Sequence, residues 1–157
     1  MRHGEAESVA KTDMQRALTQ EGREDIAQMS ASYRDELSQV DIIWASPYLR
    51  AQQTAELMSR QLLARPSTPV ITQSFLPPNG NPLDVLTELE SHRNQTVLII
   101  SHQPLVGVLV DGLACLEPGR YRMGTGSLAC LNTEIYANGC CELRWLHQPA
   151  STQPACL

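Results

Sequence analysis

The sequence predicts an α/β sandwich built on a mostly parallel sheet with an antiparallel edge. Three observations predict it. Apolar, strand-like runs alternate with segments of helical period along the chain. Two of these runs, residues 41–45 and 96–100, pass directly into Ser46-Pro47 and Ser101-His102-Gln103-Pro104, and each is followed by a helical pattern. The last two runs, residues 127–132 and 142–146, are joined through Asn138-Gly139, which suits antiparallel pairing at one edge.

Taken in order, residue 19 opens the first helix. Thr19 is a capping residue, and Ile26, Met29, Tyr33 and Leu37 recur at helical spacing. Asp41-Ile42-Ile43-Trp44-Ala45 is β-branched and aromatic and reads as a buried strand. Ser46 then caps a helix whose first position is Pro47, with Ala51, Thr54, Ala55, Met58 and Leu62 on one face and a break at Pro66 to Pro69. Val70-Ile71-Thr72 is a short strand, and residues 76–82 are loop chemistry. Asn81 caps the next helix with Pro82 first, and Leu83, Leu86 and Leu89 are expected to face inward. Residues 96–100 form the clearest strand, apolar throughout as for one covered on both faces. The following helix carries Leu105, Val106, Leu109 and Leu113, Pro118-Gly119 makes a turn, and residues 148–157 are expected to fray.

The chain of 157 residues fits a single domain, 1–157, and is long enough to bury about two-thirds of its unfolded surface. No apolar run approaches membrane-spanning length, and the start lacks the pattern of a signal peptide. A formal net charge of -5 argues against nucleic-acid binding. Lys11 is the only lysine, so the positive charge is nearly all arginine; Arg23, Arg34, Arg60 and Arg93 sit in polar helical contexts without a special signal. Five cysteines, two of them adjacent and none in Cys-x-x-Cys spacing, make a poor disulfide framework and a poor zinc site. They read as reduced thiols in a cytoplasmic protein.

The chemistry concentrates in three places. Arg2-His3-Gly4 stands at the start, and Ser46-Pro47-Tyr48-Leu49-Arg50 and Ile100-Ser101-His102 each follow a strand. In α/β sheets ligands bind beyond the carboxyl ends of strands, where helix N-termini offer free N–H groups to anions. Removing a phosphoryl group without metal requires a nucleophile and cationic donors for the oxygens. A neutral imidazole is a competent nucleophile near neutral pH, and arginine binds oxygen pairs in parallel. Arg2, Arg50 and His102 can therefore clamp a phosphoryl group on His3. Each residue has a plainer reading: His3 as a loose terminal residue, Arg50 as a solvated charge, His102 as a structural histidine. His92 and His147 have only the plain reading. Ser46 and Ser101 read as caps, since neither sits in a Gly-x-Ser-x-Gly elbow.

Arg2-His3-Gly4-Glu5, Leu18-Thr19-x-x-Gly22, Ser46-Pro47-x-x-Arg50-Ala51-x-Gln53-Thr54 and Ser101-His102-x-Pro104-Leu105-Val106-Gly107 resemble, in order, the motifs of the histidine phosphatase superfamily. They are most similar to its small SixA-type branch of protein-histidine phosphatases. The resemblance covers residues 2–146. It implies a three-layer α/β/α sandwich, phosphoglycerate mutase-like, with His3 as the nucleophile that forms a phosphohistidine. It also implies that Arg2 and Arg50 bind phosphoryl oxygens and that His102 is the second histidine of the phosphate pocket. No cofactor or metal is expected. The implied partner is a phosphorylated histidine-phosphotransfer domain of a sensor kinase, met by a monomer with no nucleic-acid or membrane partner. A small-molecule phosphomonoesterase or mutase of the same superfamily, and a non-catalytic phosphoprotein-binding module, are the alternatives.

Two features depart from the family pattern. Many members carry an acidic proton donor after the third strand, whereas residues 76–82 hold no carboxylate before Asp84. That absence favours an imidazole leaving group over an alkoxide. Members also run a strand directly into Arg-His-Gly, where this chain has Met1; an apolar strand several residues upstream is therefore expected. The branch lacks the insertions that form lids in larger relatives, so a shallow pocket is expected, suited to a phosphohistidine carried on another protein.

Overall fold

A computed structural model describes residues 1–61, 68–120 and 122–150. Five strands and five α-helices occur among them: α1 (Gln20–Ser32), α2 (Arg34–Leu37), β1 (Ile42–Ala45), α3 (Leu49–Gln61), β2 (Val70–Thr72), α4 (Pro82–Ser91), β3 (Val97–Ile100), α5 (Leu105–Leu113), β4 (Leu128–Asn132) and β5 (Glu142–His147). A single 3-10 turn, Asp13–Gln15, lies before α1. Leu62 and Pro66 fall outside the described residues.

The parallel strands run in the order β2-β1-β3, with Ile43 opposite both Val70 and Leu98. Alternation along β1 and β3 sends Ile43, Ala45, Leu98 and Ile100 to one face, where they meet α1, α2 and α3. Ile42 and Trp44 point to the other face, against α4 and α5. The result is the three-layer sandwich. β4 and β5 pair antiparallel, and α5 covers them through Val106 and Val110.

Residues 1–3 join the two groups of strands. The Ser101 N–H donates to Met1 O and the His3 N–H to Ser101 O, in parallel with β3. On the other side the Arg2 N–H donates to Ser127 O and the Gly126 N–H to His3 O. Met1 is buried, and its α-amine donates to Ile99 O at 2.8 Å. Burial pushes that amine down from 8.0 to about 5. Beyond it, a cavity of about 410 Å³ opens between β3 and β4. Val97 and Ile99 are consequently only half-buried, and β3 is not covered on both faces along its length.

Several element details differ from the sequence expectation. Tyr33 breaks the first helical stretch, with φ -116 and ψ 31, because its ring stacks on Trp145 at 4.5 Å. α3 starts at Leu49 rather than Pro47; the Ser46 hydroxyl bonds His102 and also accepts from the Tyr48 N–H at 3.4 Å, as a cap does. On α4 the inward pair is Val85 and Leu89, one turn apart, and Leu83 is exposed on the first turn. At the tail, Pro149 is buried and Gln148 Oε1 accepts from the Gly124 N–H at 2.9 Å, so these two residues are packed rather than frayed. Residues 151–157 lie outside the described ones. No helix among the described residues is long and apolar enough to cross a membrane.

Candidate active site

His3 is placed by the strand-like entry described above and by the turn that follows it. Gly4 and Gly22 make that turn possible. A Cβ at Gly22 would stand 2.3 Å from Glu5 O, and one at Gly4 would stand 2.9 Å from Gly22 O. Only two bare backbones approach this closely. The segment is also laced to α3. The Gly4 N–H donates to Thr54 Oγ1 at 3.1 Å, and the Leu18 N–H donates to Gln53 Oε1 at 2.7 Å. Thr54 donates in turn to Arg50 O. The motif letters around residues 50–54 thus describe a clamp that holds the His3 turn.

The His3 side chain is buried at 7% exposure. Its Nδ1 lies 2.7 Å from Gly4 O. A carbonyl only accepts, so Nδ1 carries the proton and Nε2 keeps its lone pair. Arg50 Nε donates to that Nε2 at 3.2 Å. Burial first, and then the Arg50, Arg2 and Arg16 charges, push the His3 pKa down to about 4 against the backbone hydrogen bond. The ring is therefore neutral at physiological pH.

His102 stands beside it, with ring centroids 4.7 Å apart. Its Nε2 is hydrogen-bonded to Ser46 Oγ at 2.8 Å, which leaves Nδ1 buried without a partner among the described residues. Burial and the neighbouring His3 and Arg50 push its pKa down to about 3. Arg2 anchors Nη1 on Met123 O at 2.8 Å, and its buried Nε has no partner among the described residues. Burial and the Arg50 charge lower the Arg2 pKa. Tyr48 stacks under the Arg50 guanidinium at 4.7 Å and meets the His102 ring edge at 4.8 Å.

All four residues singled out in the sequence, Arg2, His3, Arg50 and His102, therefore converge on one site at the carboxyl ends of β1 and β3. Orphaned polar atoms on Arg2 and His102 and two guanidiniums around a neutral imidazole are what a phosphoryl dianion would satisfy. None of His3, Arg50 and His102 lines the cavity between β3 and β4, so the site is separate from that cavity. Among the described residues no cluster of three or more His, Cys, Asp or Glu side chains is arranged to hold a metal ion.

Sequence reasoning passed over three contributors. Ser46 holds His102 as well as accepting from the Tyr48 N–H. Tyr48 supports Arg50. Asp13 takes two of the Arg50 hydrogen bonds, through its backbone oxygen and its carboxylate. Asp13 lies in an aperiodic stretch, which offers no pattern to read. Glu5, inside the first motif, and Asp84, the first carboxylate after residues 76–82, are engaged elsewhere, with Thr19 and Asn81.

The pattern of the histidine phosphatase superfamily (branch 1) matches residues 1–74. Phosphohistidine phosphatase SixA of Escherichia coli (strain K12) is 31% identical over 158 aligned positions, covering 99% of this chain and 95% of the relative. A SixA homolog of Haemophilus influenzae is 33% identical over 121 positions, 72% of this chain and 74% of that protein. Among solved structures, the protein histidine phosphatase SixA in complex with tungstate matches with a TM-score of 0.84 and 30% identity, over 98% of this chain and 97% of that one. The phosphoserine phosphatase of Entamoeba histolytica shares the fold at a TM-score of 0.70 and 17% identity. On these relatives and this architecture, the chain belongs to the histidine phosphatase superfamily, is SixA-like, and is a phosphatase.

Proposed function

We propose that the chain is a metal-independent phosphohistidine phosphatase of the cytoplasm that acts on a phosphorylated histidine-phosphotransfer domain through a covalent intermediate on His3. One observation carries the reading. The Gly4 carbonyl holds the His3 proton on Nδ1, so the lone pair of Nε2 faces Arg50 inside a cationic, partly dry site. In the first step that lone pair attacks phosphorus and the P–N bond to the substrate imidazole breaks. The departing nitrogen takes up a proton. In the second step water attacks the phosphoryl group on His3, the new P–N bond breaks, and inorganic phosphate leaves with His3 neutral again. Arg50, Arg2 and His102 hold the oxygens while charge spreads over them.

An imidazole leaving group fits a site in which Glu5 and Asp84 are occupied elsewhere, because a phosphoramidate nitrogen is more readily protonated than an alkoxide. Exposed apolar side chains adjoin the site residues in sequence, Met14 next to Asp13 and Leu49 next to Arg50. Such a rim suits a phosphohistidine carried on a protein better than a free metabolite. Tungstate, the oxyanion in the SixA complex, is expected to bind at Arg2, His3, Arg50 and His102 here. The test is a side-by-side turnover assay on a phosphorylated phosphotransfer domain and a generic phosphomonoester. The reading expects kcat/KM to be at least about a hundredfold higher for the phosphoprotein; equal or reversed values would sink it.

A further inference from the structure

We propose that Asp13 is a positioning residue for this phosphatase: it grips the outer end of the Arg50 guanidinium and so turns the Nε edge toward His3. The proposal rests on the reading that the site binds phosphoryl groups.

Arg50 Nη1 donates to Asp13 O at 2.6 Å and Nη2 donates to Asp13 Oδ2 at 3.0 Å. The guanidinium is planar, so two bonds to one residue fix its rotation within that plane. The Tyr48 ring at 4.7 Å covers one face and fixes the plane itself. What remains is the edge formed by Nε and the second N–H of Nη2. Its Nε already reaches His3 Nε2 at 3.2 Å. A phosphoryl group arriving on Nε2 thus meets an arginine edge already aimed at it, with the aiming residue behind the arginine.

Asp13 is itself held. Its other oxygen accepts from Arg16 Nη1 at 3.1 Å, and it opens the 3-10 turn Asp13–Gln15. The loop carrying it is closed by the Glu7 N–H on Ala17 O and the bridge between Ala6 and Leu18. The Arg16 and Arg50 hydrogen bonds lower its pKa, which keeps it ionised. The Arg50 side chain is 5% exposed and that of Asp13 is 54% exposed. The carboxylate therefore sits at the surface end of a buried cation, where its loss removes orientation without opening a core.

The rival account makes Asp13 a blocking anion that substrate must displace. The two accounts give opposite signs for oxyanion affinity. Tungstate binding, measured by calorimetry on the parent and on Asp13→Asn, Asp13→Ala and Asp13→Glu, separates them. Positioning expects Asp13→Asn and Asp13→Ala to bind tungstate about tenfold more weakly and to turn over about tenfold more slowly. It expects Asp13→Glu to recover at least part of both, and Tm to stay within about 3 °C, as for an exposed ion pair. Tighter or unchanged tungstate binding in Asp13→Asn overturns the proposal. So does a loss that Asp13→Glu does not lessen, or one accompanied by a collapse in Tm. A parent protein that binds tungstate yet ignores phosphohistidine protein would sink the substrate reading alone; one that binds no tungstate would sink both.

Discussion

Arg50 Nε donates to His3 Nε2 across 3.2 Å, so the lone pair of the candidate nucleophile rests against a cation. Burial first, and this contact with it, keep the imidazole neutral, and the contact places a donor where phosphoryl oxygens gather. Arg50→Ala is expected to lower kcat by about 10² to 10³, the usual effect of losing one preorganised donor. Arg50→Lys is expected to recover little, because an ammonium cannot reproduce the planar fork. Steady-state kinetics with Tm as a folding control check this.

Acid should weaken the protein over a defined window. Burial holds His3 at about 4 and His102 at about 3, both below their ordinary 6.5, and holds the Met1 amine at about 5, below 8.0. In each case the unfolded chain binds the proton more readily than the folded one. Unfolding free energy therefore rises with pH across the interval between folded and unfolded values. The contribution of these three groups is full above pH 8, falls as pH drops from 8 toward 5 through the amine, and falls further from 6.5 toward 3 through the histidines. Urea midpoints at stepped pH measure it, and His3→Gln is expected to flatten the lower part of the slope.

Ser46 is expected to matter through His102. Removing its hydroxyl leaves both ring nitrogens of a buried histidine without a partner. Ser46→Ala should cost about 1–3 kcal/mol of stability, the desolvation penalty of the orphaned group. The kcat should fall with it as the His102 ring loses its fixed orientation. Denaturant unfolding together with turnover tests the pair of effects.

Gly22 has no room for a side chain. Its Cβ would meet Glu5 O at 2.3 Å and Glu5 N at 2.7 Å, both backbone atoms that cannot step aside cheaply. Gly22→Ala is expected to destabilise by about 2 kcal/mol or more and to lower activity by moving His3. Full activity with unchanged Tm in this variant would contradict the account of the His3 turn.

Much of this was legible in the sequence because it depends on local pattern. The run from Ile42 to Ala45 is a buried strand for the reason its composition implies, the one from Val97 to Ile100 is a strand buried on one face, and Thr19 and Asn81 cap their helices as their side chains allow. Arg2, His3, Arg50 and His102 were legible as a set because each sits at a strand end or in a short motif. What escaped depends on contacts between distant segments. Tyr33 interrupts a helical period to stack on Trp145, and Ser46 adds to its bond with the Tyr48 N–H a second one to His102 across 56 positions. Val85 replaces Leu83 on the buried face because cap and proline set where α4 begins. Asp13 reaches Arg50 from an aperiodic loop, which no period or spacing marks.

The central claim is that His3 carries the phosphoryl group. Brief mixing with phosphorylated phosphotransfer protein, followed by an alkaline quench and mass spectrometry of the His3 peptide, tests it most directly. The account predicts an acid-labile, alkali-stable phosphoryl group on His3 that is absent in His3→Ala, together with loss of turnover in that variant. A His3→Ala protein that hydrolyses the substrate as fast as the parent would contradict it.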